Sequence, residues 1–155
     1  EWGRHAELCG VNHRVTFLGG VAPTHMAEIF KRADVFVFTS LQDAMGTVVI
    51  EALTHGLPVI VLNHQGCASI IPDDAAIKIA VTNPADTVSA LAKAIDSCRL
   101  CPDQLSFLSK RALAAARQLD WPSRADAMVK VYEDAKNTQL AGPDLRAREA
   151  RRAPT

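Results

Sequence analysis

Two short runs constrain this chain more than any other feature. Residues 33–38, ADVFVF, are apolar at every position after Asp34, and residues 58–62, PVIVL, are apolar throughout. A strand with one wet face alternates apolar and polar positions. A run without alternation, closed by turn residues, is covered on both faces, as in a parallel sheet layered between helices. Parallel neighbours need a crossover, and the stretch between the two runs is long enough to hold a helix. The pair therefore predicts a β-α-β unit, and a chain of 155 residues has room for one domain built around it.

The remaining elements extend the same alternation. Residues 15–18 read as a strand closed by the tight turn Gly19-Gly20. Pro23 and Thr24 open a helix, with Thr24 as N-cap and Met26, Ala27, Ile29 and Phe30 on its apolar face. Residues 48–55 are read as a helix in spite of the β-branched Val48, Val49 and Ile50. Thr47 can cap it, Glu51-Ala52-Leu53 favour it, and Gly56 before Pro58 stops it. A short helix over 68–71 ends at Pro72. Residues 76–80 form a shorter strand with Lys78 at an edge or end. A helix over 84–99 is expected to turn Val88, Leu91, Ala92 and Ile95 inward, and another spans 103–119. A third begins at Trp121-Pro122-Ser123 and runs to about Ala135, with Ala125, Met128, Val129 and Tyr132 inward. The domain is assigned to residues 1–137 and the basic-ended stretch 138–155 to a tail or linker with helical character.

Composition bounds the function. The 17 basic and 17 acidic residues cancel, which argues against a broad nucleic-acid surface, so no nucleic-acid partner is expected. Cys98 and Cys101 form the one CxxC spacing among four cysteines. A zinc ribbon needs a second such pair, and the five histidines show no ligand spacing, so no metal is expected. No secreted disulfide framework is apparent, no apolar run reaches the length of a membrane span, and the expected compartment is the cytoplasm.

In a parallel sheet, ligands bind outside the carboxyl ends of the strands. Those ends carry Gly19-Gly20, Thr39-Ser40-Leu41 and Asn63-His64-Gln65-Gly66. The segment after the first of the two apolar runs is the densest in chemistry. Asp43 lies in the loop, Gly46 lets backbone approach a ligand, and a helix starting near Thr47 points free N–H groups into the same space, where they suit a phosphate. Glu51 sits one turn into that helix. Two carboxylates beside an anion site make sense if each accepts hydrogen bonds from sugar hydroxyls while the helix end holds phosphate between them. A glycosidase pair is the other chemistry of two carboxylates, but nothing else here looks like a polysaccharide cleft. The plain alternative for Glu51 is an exposed helix residue.

With these residues in view, the stretch DAMGTVVIEA, residues 43–52, resembles the donor-binding signature of retaining GT-B glycosyltransferases of the large family 4, glycosyl transferases group 1. That pattern has an acidic residue, two positions before a Gly, four further residues and Glu-Ala. FLGGV and ADVFVFTS upstream, HGLPVIV and NHQG downstream, and WPSRADAMVKVY near the end resemble the family in the same order, over roughly residues 11–135. The resemblance implies a Rossmann-like three-layer α/β domain with a largely parallel sheet, the partial C-terminal half of a GT-B fold without its first two strands. It implies transfer of a sugar, with retention, from a nucleotide-diphosphate sugar, with no further cofactor.

Residue by residue, the resemblance places Asp43, Met45 and Gly46 against the donor sugar, the Gly46, Thr47 and Val48 backbone against the diphosphate, and Glu51 on the ribose hydroxyls. Gly20 and Val21 fall where the nucleobase approaches, and Ser40, His64, Gln65 and Gly66 would line the pocket. Asp43 stands where Glu is commoner, Met45 where an aromatic is frequent, and QGCAS replaces a double glycine and following Glu. The catalytic groups are not assigned.

The resemblance further implies partners outside this sequence. They are an N-terminal domain of the same protein, and two opening strands carrying an Arg and a Lys for the diphosphate. The whole protein would sit in the cytoplasm or at the inner membrane surface. The 155 residues alone are expected to bind donor weakly and not to turn it over. In the sheet order 3-2-1-4-5-6 the two opening strands lie between residues 15–18 and 33–38. A stable isolated chain is therefore expected to rearrange 15–18 onto its neighbour or to be completed by another chain, as in a homo-oligomer. The readings weighed against a transferase are a GT-B sugar-nucleotide epimerase and a non-catalytic interaction domain.

Overall fold

The computed structural model describes residues 1–42, 45–64 and 66–140, with the side chains of the last two excepted. Three parallel strands lie side by side in chain order: β1 Phe36–Phe38, β2 Val59–Leu62 and β3 Ala76–Ile79. Phe36 is in register with Val59, and Val59 with Ala76. Among the described residues, seven α-helices accompany them, with one 3-10 turn at Asn12–Arg14: α1 Trp2–Leu8, α2 Pro23–Arg32, α3 Thr47–Thr54, α4 Gly66–Ile70, α5 Pro84–Leu100, α6 Pro102–Gln118 and α7 Trp121–Leu140.

β2 explains the layering. All four of its residues are buried. Val59 and Val61 point into one apolar cluster with Val49, Ala52 and Leu53 of α3, Cys67 and Ala68 of α4, and Ala112, Ala115 and Ala116 of α6. Ile60 and Leu62 point into a second, with Ile79 of β3 and Ala94 and Cys98 of α5. The period-two geometry of a strand thus divides one apolar run between two helical layers. The three-layer α/β architecture expected from the sequence is the one observed.

The helix at α3 settles a conflict between propensity and burial. Val48, Val49 and Ile50 each cost no more than about 0.7 kcal/mol in a helix. Val49 and Leu53 are fully buried, and each such burial contributes roughly 1.5–3 kcal/mol. Burial therefore outweighs propensity. The helix is bracketed by two left-handed glycines, Gly46 at φ 59° and Gly56 at φ 68°. The N-cap is Gly46, not Thr47, so the cap residue itself has no side chain to close this end. At α2 the N-cap is likewise Ala22, with Pro23 in the first turn and Thr24 already inside the helix.

Several expectations are corrected. Residues 15–18 carry no regular structure and are exposed, and they pair with no strand among the described residues. Strand identity needs a neighbour, and none is in place. They neither rearrange onto β1 nor leave a gap inside the sheet, which is contiguous over its three strands. β1 is consequently an edge strand, and its three residues are half-buried, although the sequence marks it as the strongest strand. In α5 the buried positions are Ala94 and Cys98, with Ala90 and Leu91 packed beside them, whereas Val88 and Ile95 are exposed. Small residues carry the inward face. In α7 the predicted inward residues Met128, Val129 and Tyr132 are all exposed, and residues 121–138 are exposed throughout. The helix forms, but no described element covers it. The tail beyond residue 140 lies outside the described residues.

Candidate functional site

The site is built where α3 begins, at the carboxyl ends of β1 and β2. Gly46 is buried and turns the chain into the helix through its left-handed backbone. A Cβ there would stand 2.8 Å from the Cβ of Cys67 and 3.3 Å from Cγ2 of Val49. Cys67 belongs to α4, the helix that follows the β2 exit loop. The close approach of Gly46 and Cys67 therefore locks the loop after β1 against the loop after β2. The sequence reading gave Gly46 to ligand approach. The structure shows that the glycine is also required by the protein's own packing, and it brings in Cys67, a residue the local pattern did not single out. Both Gly46 and Cys67 would have had to be read together, across separate helices, to find it.

The backbone at the helix start is partly committed. The Val49 N–H donates to the Gly46 carbonyl at 2.8 Å. Among the described residues, the first-turn amides of Thr47 and Val48 have no partner preceding the helix. Thr47 is exposed and Val48 half-buried. Positive partial charge collects at this end of a helix, so the two amides favour an anion.

Glu51 lies four residues on from Thr47, on the same helix face, with its side chain exposed. Residues so spaced have Cβ atoms about 5–6 Å apart. The Glu51 carboxylate makes no hydrogen bond or ion pair among the described residues. Its carbonyl, by contrast, accepts from the Thr54 hydroxyl at 2.7 Å and lies 2.9 Å from His55 Nδ1. The helix thus uses the Glu51 backbone to finish its last turn and leaves the carboxylate to solvent.

The other candidates are distributed around this end. Ser40 follows β1 and is half-buried, and Met45 is exposed beside Gly46. His64 is exposed in the turn after β2, where its N–H donates to the Leu62 carbonyl, and Gly66 is the exposed first residue of α4. Gly20 is exposed, following the left-handed Gly19. Val21 lines a cavity of about 510 Å³ with Thr16, Leu18, Ile29, Arg32 and Ala33. That cavity adjoins the end of α2, ahead of β1, and none of its lining comes from α3. Asp43 and Gln65 lie outside the described residues, as does Ala44. Among the described residues, no group of three or more His, Cys, Asp or Glu side chains is placed to hold a metal.

The opposite end of α3 is anchored. The Ser109 hydroxyl of α6 donates to the Gly56 carbonyl at 2.7 Å. A Cβ on Gly56 would meet Leu113 Cγ at 3.0 Å, and the His55 ring rests 5.4 Å from that of Phe30.

Comparison with known proteins identifies the family and the fold. The family model for glycosyl transferases group 1 matches residues 3–114. The D-inositol 3-phosphate glycosyltransferase of Nocardia farcinica is 29% identical over 131 residues, covering 84% of this chain and 28% of that protein. Among solved structures, the sucrose-phosphate synthase of Thermosynechococcus elongatus superposes with a TM-score of 0.71 at 25% identity, over 87% of this chain and 33% of the other. WaaG, a glycosyltransferase involved in lipopolysaccharide biosynthesis, superposes with a TM-score of 0.60 at 28% identity, over 75% of this chain and 30% of the other. The chain spans less than a third of the length of the curated relatives it matches. With a parallel α/β sheet, a helix start at its carboxyl edge and a family match over most of its length, the chain belongs to the glycosyl transferases group 1 family.

Proposed function

We propose that this chain is the donor-binding part of a retaining glycosyltransferase that takes its sugar from a nucleotide-diphosphate sugar. The observation that carries the reading is the first turn of α3. The amides of Thr47 and Val48, without a partner among the described residues, lie at the carboxyl edge of the sheet, and the Glu51 carboxylate stands exposed one turn away. An anionic diphosphate suits the amides, and a carboxylate one turn along suits the vicinal hydroxyls of a ribose, which it accepts as hydrogen-bond donors. Asp43, on the other side of Gly46 in sequence, takes the hydroxyls of the transferred sugar. Gly46 holds the two halves in register through its contact with Cys67.

The chemistry asked of the whole protein is departure of a nucleoside diphosphate from the anomeric carbon. Charge develops on the leaving phosphate, and preorganised N–H donors aimed at it lower the barrier. Two amides make a modest contribution. The rest of the stabilisation belongs to basic groups of the whole enzyme, so this chain alone binds donor weakly and does not turn it over.

Titration with UDP, GDP and ADP, followed by calorimetry or by amide shifts, tests the reading. Binding should perturb the amides of Thr47 and Val48. Glu51→Gln should weaken every nucleotide by about ten-fold, the scale of one charge-assisted hydrogen bond. Asp43→Asn should weaken sugar-bearing donors more than the bare diphosphate. Equal losses on both ligands in the two variants would sink the division of roles, and no binding of any nucleotide at millimolar concentration would sink the proposal.

A further inference from the structure

Away from the α3 site, one side-chain pair sits at the corner where α5 gives way to α6. Cys98 lies in the last turn of α5, buried against Ile60 and Leu62 of β2 and Leu105 of α6. Cys101 is the residue between the two helices, and it is exposed. The Cys101 N–H donates to the Ser97 carbonyl at 3.0 Å, so helical geometry holds up to Cys101, where the backbone turns out of it at φ −124° and ψ 79°. In that geometry the Cα atoms of residues three apart are about 5 Å from each other. Disulfides span Cα separations of roughly 4.4–6.8 Å. The backbone therefore holds the two Cα atoms within the disulfide range, with Cys101 exposed and Cys98 buried, so a bridge asks only for a local tightening of this turn. Both are free thiols.

We propose that Cys101 and Cys98 form a peroxide-responsive pair in which a hydroperoxide oxidises Cys101 and Cys98 resolves it. In the first step the Cys101 thiolate attacks the distal peroxide oxygen. The O–O bond breaks, Cys101 becomes a sulfenic acid, and hydroxide (an alkoxide, from an organic peroxide) leaves and takes up a proton. In the second, the Cys98 sulfur attacks the Cys101 sulfur, the S–OH bond breaks, the Cys98 proton leaves with the hydroxide as water, and the disulfide forms. Overall, two thiols are oxidised and the peroxide is reduced.

The asymmetry of the pair assigns the order. Cys101 is open to solvent, whereas Cys98 is 5% exposed. Burial pushes the Cys98 thiol up, and an ionised Cys101 nearby pushes it further, while the Ser97 hydroxyl opposes both. A buried, protonated thiol is inert to a dissolved oxidant and reacts when a sulfenic acid is delivered beside it. The bridge would tie the last turn of α5 to the start of α6, the helix whose Ser109 and Leu113 hold the far end of α3.

The test exposes the reduced chain to hydrogen peroxide and labels the remaining thiols in denaturant, with intact-mass and peptide analysis. The expected result is loss of two labels and of two hydrogens, a cross-link within the single peptide carrying Cys98 and Cys101, and full recovery with dithiothreitol. Cys101→Ser, a change at an exposed position, should leave Cys98 fully labelled. Cys98→Ser should leave a sulfenic acid at Cys101 that dimedone captures. Oxidation through Cys9 to a disulfide-linked dimer with Cys98 and Cys101 still free would overturn the proposal. So would loss of Cys98 at the wild-type rate in Cys101→Ser.

Discussion

The two ends of α3 are built from the same device and used differently. Each is a left-handed glycine whose missing side chain admits a neighbour: Cys67 at Gly46 and Leu113 at Gly56. At the Gly56 end the neighbours close over the helix. Ser109 takes up the carbonyl, and the tilted His55 ring lies against Phe30. At the Gly46 end the packing stops at the glycine, and Thr47, with Glu51 beneath it, faces solvent. An α-helix leaves polar backbone groups unsatisfied at both ends. Here one end is satisfied by the protein, and the other is the end we propose for the donor, so a rigid element could present its polar groups without losing its own stability.

The largest effect should come from between the ends. Leu53 is fully buried, and Leu53→Ala should cost roughly 3–5 kcal/mol by lost burial and cavity formation. Denaturant unfolding would measure it. If α3 is one rigid unit, nucleotide affinity should fall only with the folded fraction. A loss of affinity in molecules that remain folded would show the two ends to be coupled through the helix.

Next come the glycines themselves. Gly46→Ala combines left-handed strain with a collision against Cys67 Cβ, and should cost about 2–4 kcal/mol. Gly56→Ala carries similar strain, but it meets the side chain of Leu113, which is partly exposed and can shift, and should cost about 1–2 kcal/mol. Only the first should also weaken nucleotide binding. Adding Cys67→Gly should recover part of the Gly46→Ala loss, with a coupling of about 1 kcal/mol in a double-mutant cycle. Additive losses would mean that the Cys67 contact does not set the Gly46 position.

The smallest effect tests the closed end. Ser109→Ala removes the hydroxyl donor to the Gly56 carbonyl and should cost about 1 kcal/mol, leaving nucleotide binding unchanged. A drop in affinity on this change would contradict the functional separation of the two ends.

How much of this is legible without coordinates depends on how local its cause is. The two buried runs, the helix between them and the exposed Glu51 one turn in are written in neighbouring residues, so pattern reading reaches them. The strand at 15–18 fails because its apolar residues describe a capacity to pair, and pairing needs a partner in position. Val88 and Ile95 mislead because hydrophobicity draws attention to large side chains, while α5 approaches the sheet through Ala94 and Cys98. The Gly46–Cys67 contact is invisible in the same way. Each residue looks like ordinary loop or helix chemistry until the fold of β2 and α4 sets one against the other.

The open side of β1 has a consequence for handling the chain. Its backbone pairs with β2 on one side, and no described strand covers the other. Phe36 and Phe38 stack 6.2 Å apart along it. An aromatic strand with a free row of amides and carbonyls is a template on which other extended segments can add. The exposed apolar residues 15–18, with Phe17 and Leu18, could supply such a segment from every copy. Concentrated preparations should therefore gain β-structure and turbidity together, and a lysine in place of Val37 should delay both.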